Sequence, residues 1–194
     1  VAGSMRVTSV GLLVVVGAAT LGVGVPLVRV ALKKGPAEYG AWSLMLGAAW
    51  ILVAGAGASL RAFQATDATG LRSAFLAWMP ILGAAGLGQL FVGALTYLMP
   101  VVIGGGPSAV RVGVGVLEAG APIRETARNV AAVLALAVAA LGGTSAERLT
   151  IAAWVVLLAT YLVDIVLMAR CGVAQARAKR AAASSPTIQG GSRG

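Results

Sequence analysis

Asp164 is the residue in this sequence with the clearest capacity for chemistry, because it is the only acid inside a long apolar run. Tyr161 precedes it by three residues, so a helix would place both side chains on one face. An ionisable group inside a membrane helix often marks ion or proton handling. The alternative is structural pairing near the cytoplasmic boundary. The candidate partners are Thr160, Arg29, Arg111 and Arg128.

Gln89 is the second polar position within an apolar run. It recurs at helical spacing with Gly93, Thr96 and Pro100. Small residues let helices approach closely, and Gln can hydrogen-bond across such an interface. The face is therefore a buried helix contact or, alternatively, part of a substrate pathway. Together with Asp164 and Tyr161, Gln89 forms a candidate intramembrane polar site.

Basic residues near the ends of the apolar runs are candidate contacts for lipid headgroups. Lys33 and Lys34 lie between the first two runs, and Arg111 follows the Gly-Gly-Gly-Pro segment at 104–107. Clusters of this kind attract anionic lipid. The Gly-Pro segment itself predicts a helix stop. It lacks the Gly-Lys-Ser/Thr ending of a phosphate loop.

The residue inventory excludes several classes of chemistry. The chain has no histidine and one cysteine, Cys171, so it forms no intrachain disulfide and lacks most transition-metal ligands. We assign no catalytic residue, metal or cofactor. A lipid-acting enzyme is a further alternative, but its candidate acids Glu118, Glu125 and Glu147 are scattered and form no constellation. The net charge of +9 in so apolar a chain indicates membrane topology and anionic lipid rather than nucleic acid.

The elements that must position these residues are membrane-spanning helices. Of 194 residues, 59% are hydrophobic and 11% charged, whereas a soluble domain carries about 25% charged residues. A span needs about 20 apolar residues. We therefore predict an all-α transmembrane bundle of about five spans in a domain over 1–172. The spans fall near 7–32, 39–60, 81–103, 127–143 and 149–170.

Three connecting segments carry separate expectations. Residues 73–80 are predicted to form an interfacial lead-in, because the 38-residue uncharged run at 73–110 is too long for one span and contains Pro80 and Pro100. Residues 108–122 show alternating valines and are predicted to be irregular or amphipathic. Residues 173–194 are predicted to be a basic and then Ser/Gly-rich flexible tail.

The distribution of Lys and Arg predicts the orientation. Eleven lie on the side that carries the C-terminus and four on the other. The positive-inside rule then places the N-terminus outside and the C-terminus in the cytoplasm. The sequence begins with Val rather than Met, and we expect it to be part of a longer chain.

Residues 91–111, FVGALTYLMPVVIGGGPSAVR, with Gly88-Gln89-Leu90 before them, form the most distinctive motif. This stretch resembles the polytopic membrane region that precedes the copper domains of bacterial multicopper oxidase and copper nitrite reductase fusion proteins. Pro36-Ala37, Trp42-Ser43 and Arg128-Asn129 also fit that pattern. The resemblance covers about 35–170 and has one specific motif, at 97–111. That region is similar to subunit I of haem–copper oxidases.

The resemblance implies the C-terminal half of a larger module in a bacterial plasma membrane. By that resemblance, the family's metal-linked histidines lie in the N-terminal half, so no metal or catalytic residue carries over to this chain. We expect a non-catalytic anchoring or scaffolding bundle that contacts lipid, other membrane helices or a missing redox domain. The alternative is a small multi-pass transporter, or an accessory subunit, that uses Asp164 and Gln89.

Overall fold

The structure is a computed structural model that describes residues 2–19, 21–22, 25–26, 29, 39–140 and 143–184. Within these residues the regular structure is helical and no strand is present, which confirms the all-α prediction. A π-helical segment, Ile81–Leu87, follows Pro80. The α-helices are α1 Ala2–Ala19, α2 Tyr39–Gln64, α3 Ala68–Pro80, α4 Gly88–Ile103, α5 Gly106–Leu117, α6 Ala121–Ala139 and α7 Thr144–Ser184.

Among the described residues, three helices are long and apolar enough to cross a membrane: Tyr39–Gln64, the continuous Ala68–Ile103 and Thr144–Ser184. They contain the spans predicted at 39–60, 81–103 and 149–170. The span predicted at 127–143 overlaps α6, which carries Arg124, Glu125 and Arg128 in its first half and is not among the three. The span predicted at 7–32 lies partly outside the described residues, and within it α1 contributes the shorter apolar helix Arg6–Ala19.

The chain stays helical through Pro80, where we expected a break after an interfacial lead-in. A proline lacks the N–H that would continue the helical ladder. The π-helical segment Ile81–Leu87 follows it directly. Local π-helical adjustment is a known way to satisfy the backbone around a membrane proline. Residues 73–80 are therefore part of one helical rod that ends at Ile103.

Residues 106–117 form a helix, α5. The alternating valines predicted an irregular or amphipathic segment over 108–122. Its buried residues are Ala109, Gly113 and Leu117, which repeat every four positions. That spacing places them on one helical face, and α5 packs along α7. The predicted stop at Gly104-Gly105 is confirmed, because α4 ends at Ile103 and both glycines adopt positive φ angles.

The last helix, α7, continues as one element past the predicted domain boundary at 172. Its 41 residues extend over about 60 Å at 1.5 Å per residue. Cys171 and Gln175 are buried where α7 packs against α5 and α4. Contacts with neighbouring helices therefore order the first part of the predicted tail. Residues 185–194 lie outside the described part of the chain.

Two interfaces position the polar residues. The α2–α4 interface is made by glycines, and Gly47 lies so close to the opposite rod that a Cβ there would stand 2.8 Å from the backbone N of Leu90. The α6–α7 interface is antiparallel and is filled by small residues and by Leu157. Because α2 also contacts α6, the three helices enclose a common buried space.

Candidate functional site

Asp164 lies at the centre of a buried ionic cluster between α2, α6 and α7. We use this name for Tyr39, Ser43, Arg124, Glu125, Arg128 and Asp164. An acid inside an apolar helix is expected to face protein rather than lipid, and Asp164 is only 2% exposed. Its Oδ1 accepts a hydrogen bond of 2.9 Å from the Tyr39 hydroxyl and lies 3.3 Å from Arg124 Nε. Its Oδ2 accepts a hydrogen bond from Arg128 Nη2.

Arg128 is fully buried and connects α6 to α7. Its Nε donates to Thr160 Oγ1 at 2.9 Å, and its guanidinium stands 4.2 Å from the centre of the Tyr161 ring. A guanidinium over an aromatic face is attracted by the ring quadrupole. Arg128 therefore combines an ion pair, a hydrogen bond and a cation–π contact in one position.

Arg124, one turn earlier on α6, connects α6 to the C-terminal end of α5. Its Nη2 donates a 2.6 Å hydrogen bond to the carbonyl of Leu117, the last residue of α5. A helix C-terminus leaves carbonyls without partners, and a cation there satisfies them. Its guanidinium also lies 4.5 Å from the centre of the Tyr39 ring.

Glu125 supplies the second negative charge of the ionic cluster. Its Oε2 accepts a 2.8 Å hydrogen bond from Ser43 Oγ and lies 3.8 Å from Arg128 Nη1. The two carboxylates of the cluster thus match its two guanidinium groups. This balance matters because a buried charge without a partner is far more costly than a buried pair.

A second set of polar residues, which we call the amide cluster, adjoins the ionic cluster and consists of Trp50, Gln89 and Asn129. Asn129 Oδ1 accepts hydrogen bonds from Trp50 Nε1 at 2.7 Å and from Gln89 Nε2 at 3.2 Å. Asn129 Nδ2 donates to the backbone carbonyl of Glu125 at 2.8 Å. Gln89 is fully buried, and its Oε1 has no hydrogen-bond partner within the described residues.

The predicted site residues therefore occupy related but distinct places. Asp164 pairs with Arg128, one of its three candidate arginines. The Tyr161 hydroxyl donates to the Ala84 carbonyl rather than to Asp164, so the two side chains meet only through Arg128. Gln89 belongs to the amide cluster.

Of the predicted lipid contacts, the structure describes Arg111. Arg111 is exposed on α5, with its Nε 3.5 Å from the Pro107 carbonyl. Lys33 and Lys34 fall outside the described residues. Arg111 therefore lies outside the buried polar network.

Sequence reasoning missed four members of the ionic cluster. Tyr39, Ser43 and Arg124 receive no site role from the sequence, and Glu125 is there one of three scattered acids. A signal was present, because Arg124, Arg128 and the Glu125–Asn129 pair repeat at spacings of four on α6. Such spacing aligns side chains along a helix and marks a polar face.

A cavity of about 510 Å³ adjoins the ionic cluster between α2 and α6. It includes three polar residues from α6, namely Glu125, Thr126 and Asn129. Its other walls are Tyr39, Trp42 and Leu46 from α2, and Ala121, Pro122 and Val130 from α6. The volume lies within the range of about 300–1,000 Å³ that is usual for ligand pockets.

The described residues bring together no group of three or more His, Cys, Asp or Glu that would hold a metal ion. Cys171 is buried on α7, with its Sγ 3.7 Å from Gln175 Oε1. The buried polar contacts described above are therefore concentrated in the ionic cluster and the amide cluster. Comparison with protein-family models, curated proteins and solved structures finds no match to this chain.

Proposed function

We propose that this chain is a non-catalytic membrane-anchoring bundle in a bacterial plasma membrane. One observation carries the proposal: the ionic cluster is neutralised by the protein's own side chains. Asp164 accepts a hydrogen bond from Tyr39 and forms ion pairs with Arg124 and Arg128. Glu125 accepts a hydrogen bond from Ser43 and forms an ion pair with Arg128. A site that binds and releases an ion needs a charge that the protein leaves available. Here the charges are used to join helices.

The pairing supports a scaffold because it connects distant parts of the chain. The Tyr39–Asp164 hydrogen bond joins residues 125 positions apart, and the Arg128–Asp164 pair joins residues 36 positions apart. Buried polar contacts of this kind are specific in geometry, since a shift of one helical turn would separate the charges. The cluster thus holds α2, α6 and α7 in one register.

The copper association in this proposal is supported by the motif at 91–111. Its resemblance to the membrane region of copper oxidase and nitrite reductase fusion proteins suggests a longer chain that carries a redox domain. The proposal includes about five spans, with the N-terminus outside and the C-terminus in the cytoplasm, from the span lengths and the distribution of Lys and Arg.

Membrane fractionation of the bacterium that encodes this chain tests the proposal. We expect the chain to remain in the membrane pellet after an alkaline carbonate wash. Protein purified from those membranes through an affinity tag on this chain should carry copper-dependent oxidase or nitrite reductase activity. A multi-pass membrane protein of similar size with the same tag is the control and should not carry that activity.

The two results contradict different parts of the proposal. Extraction of the chain by carbonate would contradict the membrane anchor. Purified protein without copper-dependent activity would contradict the copper association.

A transporter or accessory subunit is the second candidate, and one observation favours it. Gln89 Oε1 and Arg124 Nη1 are buried without hydrogen-bond partners in the described structure, so each can still form a hydrogen bond with a transported molecule. Asp164→Asn in proteoliposomes separates the two functions. A transporter would lose flux while its fold stayed intact, whereas an anchor would lose stability instead.

A further inference from the structure

We propose that the cavity between α2 and α6 binds a neutral, hydroxyl-bearing amphiphile from the lipid phase. This inference goes beyond the anchoring function and does not depend on it. The cavity holds about 510 Å³, which is room for a ring and the first part of an alkyl chain. Its walls are mostly apolar, and its one charged lining residue is Glu125.

Glu125 has unused capacity as a hydrogen-bond acceptor. Its Oε2 already accepts from Ser43 at 2.8 Å. Its Oε1 has only a long contact of 3.5 Å with Asn129 Nδ2. A carboxylate oxygen has two lone pairs, so Oε1 can accept a further hydrogen bond from a donor in the cavity. The group that fits must therefore donate.

The charge balance of the ionic cluster selects a neutral donor. Two arginines already match its two carboxylates, so a cationic ligand would add an unbalanced positive charge beside Arg128. An anionic ligand would lie against the Glu125 carboxylate. A hydroxyl donates a hydrogen bond and leaves the balance unchanged.

The walls of the cavity favour a ligand that arrives from the membrane. Trp42 and Val130 both line it and are 44% and 50% exposed, so each reaches from the cavity to the outer surface. Both stand on helices that contribute exposed apolar residues to that surface. The Trp42 indole offers an aromatic face, and a phenolic head can stack on it. We therefore expect a phenol to bind better than a straight-chain alcohol.

Isothermal titration of the purified full chain in detergent micelles tests this assignment with a matched pair of probes. The first is 4-decylphenol, and the second is its methyl ether, 4-decylanisole, which keeps the ring and tail but cannot donate. We expect saturable binding of one phenol per chain and at least a tenfold weaker interaction with the ether. Decylammonium should bind more weakly than the phenol.

Variants separate the cavity from general partition into the micelle. Val130→Trp fills the exposed wall, and Leu46→Trp fills the opposite wall; each should abolish saturable binding. Glu125→Gln should weaken phenol binding at least fivefold, whereas Glu118→Gln, outside this cavity, should not change it.

Three results would overturn the proposal. The first is equal binding of the phenol and the ether, and the second is tighter binding of decylammonium. The third is unchanged phenol binding by both tryptophan variants. Circular dichroism of each variant confirms that any loss of binding occurs in a folded chain.

Discussion

The α2 helix takes part in two interfaces of opposite character. Towards α4 it presents Gly40 and Gly47, and towards α6 and α7 it presents Tyr39 and Ser43. The glycine interface depends on the absence of side chains, since a Cβ at Gly93 would stand 2.8 Å from the Gly40 carbonyl oxygen. The ionic cluster depends on charge balance. One helix therefore uses close packing on one face and specific pairing on another.

This difference teaches which kind of substitution each interface tolerates. A glycine interface is sensitive to added volume and insensitive to charge elsewhere. The ionic cluster is sensitive to the loss of a single charged partner, because the remaining charge stays buried. Substitutions on the two faces of α2 and on its partners can therefore be ranked by expected effect.

Arg128→Leu should have the largest effect, because it leaves Asp164 with only Arg124 as a cationic partner. We expect a loss of about 3–5 kcal/mol in the free energy of unfolding, the usual result of removing one partner from a buried pair. Reversible unfolding in mixed micelles measures it. The exposed Arg111→Leu is the control, with a change below about 0.5 kcal/mol.

The double variant Arg128→Leu, Asp164→Leu sharpens this result. It removes a charge of each sign, so we expect it to be more stable than the single variant. If the double variant is less stable than Arg128→Leu alone, charge balance is not what makes the ionic cluster sensitive.

Gly93→Ala tests the glycine interface and ranks second. The added Cβ would lie 2.8 Å from the Gly40 carbonyl oxygen and 3.0 Å from the backbone N of Leu44, so the helices must separate. Overpacking of this kind costs about 1–3 kcal/mol. Gly83→Ala is the control, since nothing lies within 4 Å of a Cβ there. Equal effects at both positions would show that close approach is not required.

Ser43→Ala should have a moderate effect on the ionic cluster. The Ser43 hydroxyl donates at 2.8 Å to Glu125 Oε2, and its loss removes one hydrogen bond without removing a charge. We expect a decrease of about 1 kcal/mol in the free energy of unfolding, in line with other interhelical hydrogen bonds in membranes. Ser73→Ala, whose hydroxyl bonds within its own helix, should change stability less.

Gly115→Ala should have the smallest effect and the opposite sign. The position lies within α5 with nothing within 4 Å of a Cβ, so alanine adds helix propensity without a clash. The expected gain is about 0.5–1 kcal/mol. Two residues earlier, Gly113→Ala should be destabilising instead, because its Cβ would stand 2.8 Å from Gln175 Nε2. Thermal unfolding of the pair measures the contrast, and a gain at both positions would contradict the packing of α5 on α7.

Prediction from the sequence succeeded where the signal is local. The apolar lengths of α2, the Ala68–Ile103 rod and α7 each predicted a helix long enough to cross a membrane. The Gly-Gly-Gly-Pro segment predicted the end of α4 for a local reason as well, because positive φ angles suit glycine. The break predicted at Pro80 was not found, since the surrounding helical rod accommodates that proline with a π-helical segment.

The sequence by itself determined that the chain is helical, that long stretches of it are apolar enough for a membrane, and that Asp164 must face protein. These follow from composition and from the cost of a charge in hydrocarbon. Only the tertiary structure decided that Asp164 pairs with Arg124 and Arg128, and that Tyr39 reaches it. The physical reason is that helical periodicity fixes neighbours three and four residues apart, whereas partners 36 and 125 positions away depend on how whole helices pack.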